Sequence, residues 1–181
     1  MSGQHQRLPI EVDPLRLAAR EELLQGKIPL NQMKRLLSAL SSNDGEIFVD
    51  VGFTVDINRV VILAGQIKTD LKLICQRCMR EMPLVLDIEF QLAFVRSEAE
   101  MERLPEGYEA TILDNNTVML SDIIEDELLL ALPSIPKHPD DSCSSDVLDK
   151  VTQNQQENAP DTENVERDNP FDILASLKTD K

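Results

Sequence analysis

Residues 46–57 read EIFVDVGFTVDI and carry the strongest structural signal in the chain. The odd positions are all apolar, whereas the even positions are polar or small, with Phe48 as the exception. Because side chains alternate between the two faces of a β-strand, this period of two predicts a strand with one buried face. The buried face would carry Ile47, Val49, Val51, Phe53, Val55 and Ile57.

Two further long strands are predicted after a turn at residues 56–59. The first covers about 60–74, where Gly65 suggests a bulge or a sharp bend, and the second covers about 84–94. Paired residues lie on the same face of a sheet, and one antiparallel register satisfies this for both apolar faces. That register sets Leu73 opposite Leu86, Leu71 opposite Ile88 and Lys72 opposite Asp87.

Three predicted helices are available to cover the apolar face of these strands. In the N-terminal part, residues 8–12 form a short strand, a helix runs from Pro14 to about Gln25, and another covers about 31–40. A later helix begins with Ser121 as its cap and ends before Pro133. The predicted fold class is α+β, with an antiparallel sheet or a partly closed barrel of long strands covered by helices.

Charge is distributed unevenly along the chain. Residues 1–96 balance at 12 − 12 = 0, whereas residues 97–181 carry 6 − 21 = −15. We therefore predict one α+β domain over 1–136 and an acidic disordered linker over 137–168. A short amphipathic helix over 169–178 would follow, with an apolar stripe that we expect to dock on a surface. Its docking residues would be Phe171, Ile173, Leu174 and Leu177.

Several classes of protein are excluded by what the sequence lacks. We find no signal peptide and no apolar stretch long enough for a bilayer, and the odd count of three cysteines fits a reducing cytoplasm. We find no phosphate loop, nucleophile elbow or metalloprotease helix, and neither His5 nor His138 is placed as a general base. We therefore expect a cytoplasmic protein without catalytic activity and without a membrane partner.

The pair Cys75 and Cys78 lies at the tip of the predicted hairpin between the second and third strands. This spacing lets two thiolates meet one ion, and His138 and Cys143 are the candidates for the remaining ligands of a zinc site. Reduced, exposed cysteines without a metal are the interpretation that we favour over zinc. A redox pair is a further alternative, although it favours a helix N-terminus over a hairpin.

Positive charge surrounds the same tip and gives it a candidate contact surface for RNA or a protein partner. The residues concerned are Lys68, Lys72, Arg77 and Arg80. The alternative is that the two lysines simply pair with Asp87 and neighbouring acidic residues. No aromatic side chains interleave with these charges, so the tip offers no stacking platform for bases.

Four segments of the chain together resemble the YceD family. They are Leu8-Pro9-Ile10 with Asp13-Pro14, Cys75-Gln76-Arg77-Cys78, the stretch from Glu125 to Pro133, and the ending from Asn169-Pro170-Phe171 to Lys178. The resemblance implies a ribosome-assembly factor that supports synthesis, processing or stability of large-subunit 23S ribosomal RNA, with no catalytic activity. The partners it implies are precursor ribosomal RNA, ribosomal proteins or other assembly factors, and we expect a monomer. A zinc-binding adaptor unrelated to ribosomes is the alternative, and a thiol oxidoreductase is a more remote one.

Overall fold

The computed structural model describes residues 6–113, 115–139 and 143 of the chain. The predicted linker 137–168 and C-terminal helix 169–178 lie outside these residues, except for 137–139 and Cys143. The strands are β1 (Gln6–Arg7), β2 (Glu11–Val12), β3 (Leu23–Pro29), β4 (Glu46–Val55), β5 (Val61–Ile74), β6 (Glu81–Val95), β7 (Ala110–Ile112) and β8 (Val118–Met119). The α-helices are α1 (Pro14–Ala18), α2 (Glu98–Met101) and α3 (Leu120–Ala131), and two 3₁₀ helices cover Leu30–Gln32 and Leu36–Ala39.

The main sheet has six strands in the order β1-β3-β4-β5-β6-β7, and β2 pairs with β8 in a separate ribbon. Pairing is antiparallel through the centre, whereas the short edge strands β1 and β7 pair in parallel with β3 and β6. The α+β class and the mainly antiparallel sheet are therefore confirmed. The sheet is not closed, because among the described residues its edge strands β1 and β7 do not pair with each other. No helix in the described ranges is long and apolar enough to span a membrane.

The three long strands lie close to where the period-two pattern predicts them, and their pairing is continuous. The predicted buried face is wrong at its end, because β4 stops at Val55 and both Val55 and Ile57 are exposed. Gly65 pairs with Val51 on one side and Phe90 on the other, without an inserted residue, so the predicted bulge is absent. Its role is a close approach of backbones. A Cβ atom at Gly65 would lie 2.2 Å from the carbonyl oxygen of Asp50 and 2.6 Å from the Cα of Val51.

The predicted register between β5 and β6 is wrong by four residues. Leu73 lies opposite Met82, Leu71 opposite Leu84 and Lys72 opposite Pro83, while Lys68 takes the position opposite Asp87. A shift of four keeps every side chain on its predicted face, so alternation alone cannot detect it. The hairpin loop decides the register, because the Cys75 N–H donates to the Arg80 carbonyl at 2.9 Å and β6 starts at Glu81.

Both predicted N-terminal helices differ from the structure. The first ends at Ala18, and Leu23–Pro29 forms a strand with seven residues paired to β4. The second, predicted over 31–40, is replaced by the two 3₁₀ helices. Helix propensity is a weak preference, and pairing with an already long strand outweighs it here.

The apolar face of the sheet is covered by α3, α1 and the 3₁₀ segments. In α3, Leu120, Ile124 and Leu128 are fully buried at intervals of four residues, which places them on one face of the helix. This helix starts one residue before Ser121, whose predicted capping role is not observed because no side chain caps the helix. The two ends of the long strand β5 lie at opposite edges of the molecule's core, and each end is surrounded by a different group of polar side chains.

Candidate metal centre

The loop between β5 and β6 presents Cys75 and Cys78 toward the same side. Its shape comes from backbone hydrogen bonds, in which Met79 N–H donates to the Cys75 carbonyl at 2.9 Å. Met79 adopts a left-handed conformation with φ of 57°, which closes the turn. The Gln76 N–H also donates to the Pro136 carbonyl at 2.8 Å, and this bond ties the loop to the segment that follows α3.

That segment brings His138 and Cys143 to the two hairpin cysteines, as the sequence predicted for a metal site. The four ligand atoms lie within 4.8 Å of one another. The Cys75 and Cys143 sulfurs are 3.6 Å apart, and His138 Nδ1 is 3.4 Å from Cys78 Sγ and 3.7 Å from Cys143 Sγ. A disulfide requires about 2.05 Å between sulfurs, so these are free cysteines.

Three of the six ligand separations match the edges of a metal-centred tetrahedron, and the others do not exceed 4.8 Å. With zinc bonds of about 2.3 Å to sulfur and about 2.0 Å to nitrogen, sulfur–sulfur edges are about 3.8 Å and sulfur–nitrogen edges about 3.6 Å. The observed 3.4–3.7 Å places a single small ion within reach of all four atoms. The Cys₃His cluster can bind a metal, and its donor set is one that structural zinc sites use.

The orientation of His138 provides a second argument for metal binding. Its Nε2 lies 3.2 Å from the Glu81 backbone carbonyl oxygen. Because a carbonyl can only accept, this contact favours a proton on Nε2, and in the neutral ring the lone pair of Nδ1 would then face the sulfurs. Metal-bound histidines usually donate their other ring N–H in this way, which fixes both the tautomer and the ring plane.

The electrostatic environment differs between the two hairpin thiols. Burial opposes ionisation of Cys75, but backbone N–H groups of Cys78, His138 and Arg77 donate to its sulfur and lower its pKa to about 5. Burial and the neighbouring sulfurs of Cys143 and Cys75 raise the pKa of Cys78. The cluster thus combines a stabilised thiolate at Cys75 with a thiol at Cys78 that resists ionisation.

A small apolar cluster surrounds the cysteines and excludes water from them. Cys75 and Cys78 are buried together with Leu73 and Met82. Leu40, Leu84 and Leu132 pack against this group from other parts of the chain. The Cys₃His cluster therefore lies where the hairpin meets the segments that carry Leu40 and Leu132.

The two lysines near the tip form ion pairs with acidic neighbours, as the alternative to an RNA or partner contact predicted. Lys68 forms an ion pair with Asp87 at 3.2 Å, and Lys72 forms one with Glu81 at 3.3 Å. Arg77 donates to the His138 carbonyl at 3.4 Å. The contact of these three residues and Arg80 with RNA or a partner stays a prediction. The predicted docking residues Phe171, Ile173, Leu174 and Leu177 lie outside the described part of the chain.

Glu125 has a role that sequence analysis missed. Its carboxylate is buried and accepts hydrogen bonds from the Arg35 N–H at 2.6 Å, the Leu36 N–H at 3.0 Å and the Arg35 Nε at 2.9 Å. It therefore caps the 3₁₀ helix at Leu36 from a distance of ninety residues along the chain. In the sequence, Glu125 stands beside Asp126 and Glu127, and all three acidic residues are explained by the positive end of the helix dipole. No local pattern indicates that Glu125 alone is buried and hydrogen-bonded.

The chain is similar to one protein family and to a curated member of that family. The family described as "Large ribosomal RNA subunit accumulation protein YceD" matches residues 63–178. A curated protein of Haemophilus influenzae with the same description is 32% identical over 176 residues, which cover 97% of this chain and 98% of the relative. No solved structure matches the chain. The chain belongs to the YceD family of large ribosomal RNA subunit accumulation proteins.

Proposed function

We propose that this protein supports the accumulation of large-subunit ribosomal RNA as a cytoplasmic, non-catalytic assembly factor. The observation that carries this proposal is a relative bearing that description, which aligns with 97% of the chain. The partners would be precursor ribosomal RNA, ribosomal proteins or other assembly factors. This similarity favours the ribosomal role over a zinc adaptor unrelated to ribosomes.

Cells lacking the gene provide the direct test. We expect a lower ratio of 23S to 16S ribosomal RNA and a large-subunit precursor peak on sucrose gradients. Both defects should disappear when the gene is restored on a plasmid. Unchanged ribosomal RNA and gradient profiles in the deletion strain would refute the proposal.

We also propose that Cys75, Cys78, His138 and Cys143 hold one zinc ion. The support is the tetrahedral match of the ligand separations and the donation from His138 Nε2 to a backbone carbonyl. Four protein ligands leave no open position for water or substrate, so the ion would stabilise the fold and supply no chemistry. The same four-ligand arrangement favours a metal over a two-cysteine redox pair.

Metal analysis of the reduced, full-length protein tests the zinc site. We expect about one zinc per chain, as a single tetrahedral site requires, and its loss in Cys75→Ser. Gln76→Ala is the matched control, because Gln76 is exposed and lies next to Cys75 without belonging to the cluster. Wild-type protein that binds no zinc in zinc-supplemented buffer would exclude the site.

A further inference from the structure

A cavity of about 520 Å³ lies at the end of β5 opposite the cysteine cluster. Arg59, Arg96 and Arg103 line it, and its floor includes the apolar residues Phe94 and Leu104. This volume lies within the range of about 300–1,000 Å³ that ligand sites occupy. We refer to it below as the arginine pocket.

The three arginines reach the arginine pocket from three separate parts of the fold. Arg59 lies in the turn between β4 and β5, Arg96 directly follows β6, and Arg103 follows α2. Within the described residues, none of their guanidinium groups forms an ion pair, whereas Lys27, Arg35, Lys68 and Lys72 all do. All three side chains are exposed, so their N–H donors are open to solvent and accessible to an external anion.

The lining supplies little of that counter-charge. Glu100 is the one acidic residue in it, and its carboxylate already accepts a hydrogen bond from the Arg96 backbone N–H at 2.7 Å. The formal charge of the lining is 3 − 1 = +2, in a chain whose net charge is −15. The site is therefore electropositive against the trend of the molecule.

The backbone at Arg59 is also unusual. Its φ is 62°, a left-handed conformation that costs a side-chain-bearing residue about 1–2 kcal/mol and that glycine adopts freely. Asp56 enforces this conformation, because its backbone carbonyl accepts from the Arg59 N–H at 3.0 Å and its carboxylate accepts from the Val60 N–H at 2.8 Å. This turn geometry positions Arg59 at the rim of β5, and glycine could replace the arginine there without disturbing the backbone.

We propose that the arginine pocket binds backbone phosphates of RNA. A guanidinium group presents a planar fork of N–H donors that matches the oxygens of a phosphate, so arginine suits this task better than lysine. The proposal rests on the function in ribosomal RNA accumulation and assigns the RNA contact to a specific surface. It places that contact at the opposite end of β5 from the basic hairpin tip.

Another cavity in the described part of the chain shows the opposite character. It lies beside α3 and is lined by the acidic residues Glu109, Asp122, Asp126 and Glu127, without a basic residue. Phosphate would be repelled there. The arginine pocket is thus a local site and does not reflect a generally basic surface.

The test measures binding of full-length, zinc-supplemented protein to an in vitro transcript of large-subunit ribosomal RNA. The pocket variant carries Arg59→Gln, Arg96→Gln and Arg103→Gln, and the matched control carries Arg16→Gln, Arg20→Gln and Lys34→Gln. The control removes the same charge from three exposed cations outside the arginine pocket. Affinity is measured by fluorescence anisotropy between about 50 and 200 mM salt, where counterion release dominates its variation.

The pocket variant should bind on the order of tenfold more weakly at about 0.1 M salt, with the control within about twofold of wild type. The slope of log affinity against log salt should decrease by about two to three, since each lost phosphate contact removes about 0.7–0.9. Arg59→Gly guards against misfolding, because glycine suits the positive φ. This variant should keep the thermal midpoint and still lose about one unit of slope.

Three outcomes would overturn the inference: wild-type protein that does not bind the transcript, a pocket variant that binds like wild type, or a control that loses as much affinity as the pocket variant. None of these outcomes bears on the proposed function itself. That function is judged by ribosomal RNA levels in the deletion strain, so failure of one proposal can be told from failure of the other.

Discussion

The two ends of β5 differ in how their charged and reactive groups are satisfied. At the Ile74 end, four ligand atoms from two segments converge around two buried cysteines, and the nearby lysines are held in ion pairs. At the Val61 end, three arginines converge on an open cavity without ion-pair partners among the described residues. A bound metal would satisfy the ligand atoms of the first end, whereas the arginines of the second end remain accessible to an external anion.

We therefore assign stability to the cysteine end of β5 and ligand recognition to its arginine end. A closed four-ligand site contributes to folding, and the nearby Lys68 and Lys72 form ion pairs with Asp87 and Glu81. Unpaired guanidinium groups contribute little to folding and remain available for a ligand. Disrupting the cysteine end should therefore affect stability most, and disrupting the arginine end should affect binding most.

The largest effect on stability should come from removing the metal. Zinc present at about a thousand times its dissociation constant stabilises a fold by about 4 kcal/mol. For a chain of this size, that corresponds to a fall of about 10 °C in the thermal midpoint after chelation. Hydrogen exchange should then show lost protection in the Cys75–Arg80 loop and retained protection in the turn at 56–60. The thermal midpoint of Cys75→Ser should not change when the chelator is added. Equal loss of hydrogen-exchange protection at both ends of β5 would contradict the assignment of stability to the cysteine end.

The next largest effect should come from Gly65→Ala, midway between the two ends. The added Cβ would meet the backbone of Asp50 and Val51 at 2.2–2.6 Å, and backbone in a central ladder cannot move aside cheaply. We expect a loss of about 3 kcal/mol in the free energy of unfolding, measured by urea titration. The matched control is Gly52→Ala, whose Cβ meets only the flexible, exposed Leu23 side chain at 2.8 Å. A control as destabilised as Gly65→Ala would contradict this reason.

A smaller effect should follow from Glu125→Gln, which tests a contact that belongs to neither end. The variant loses the charge that accepts from two backbone N–H groups and the Arg35 Nε, and we expect about 2 kcal/mol of destabilisation at pH 7. Asp126→Asn is the control, because this exposed carboxylate contacts the same arginine and should matter by less than about 0.5 kcal/mol. Comparable losses in both variants would show that burial is not the cause.

The same carboxylate should make stability depend on pH. Burial opposes ionisation of Glu125, but donation from Leu36 and Arg35 outweighs it and lowers its pKa below the usual value. A group with a lowered folded-state pKa stabilises fully above its unfolded pKa of about 4.3, and the contribution is lost as the pH falls through the folded value. Thermal midpoints from pH 7 to pH 3 should therefore fall more steeply in wild type than in Glu125→Gln. Parallel curves would contradict the assignment.

The smallest effect on stability should come from Tyr108→Phe at the arginine end. The Tyr108 hydroxyl donates to the Asp56 carboxylate and accepts from Asn58 Nδ2 at 2.9 Å. The hydrogen bond from Tyr108 lowers the pKa of Asp56, so the variant should raise that pKa in a carbon-detected NMR titration. Faster hydrogen exchange at Val60 should accompany it, with the Cys75–Arg80 loop unchanged. An unaltered Asp56 pKa would show that the hydroxyl does not order this turn.

The sequence alone determined the positions of the long strands. It also placed Cys75 and Cys78 on one hairpin and identified the other two candidate ligands. Alternation over 46–57 and 84–94 is a local property, because each side chain's face depends only on its position within its own strand. The short spacing from Cys75 to Cys78 is equally local. These features could be predicted because no distant partner was needed to establish them.

Only the tertiary structure decided which partners the local elements would meet. Period two is unchanged by a shift of two or four residues, so the β5–β6 register depended on the hairpin loop. Leu23–Pro29 became a strand because β4 offered seven paired residues, which outweigh helix propensity. Glu125 contacts Arg35 across ninety residues of chain. The arginine pocket likewise brings Arg59 close to Arg96 and Arg103. No local pattern records such contacts, because their energy arises when the folded sheet brings the groups together.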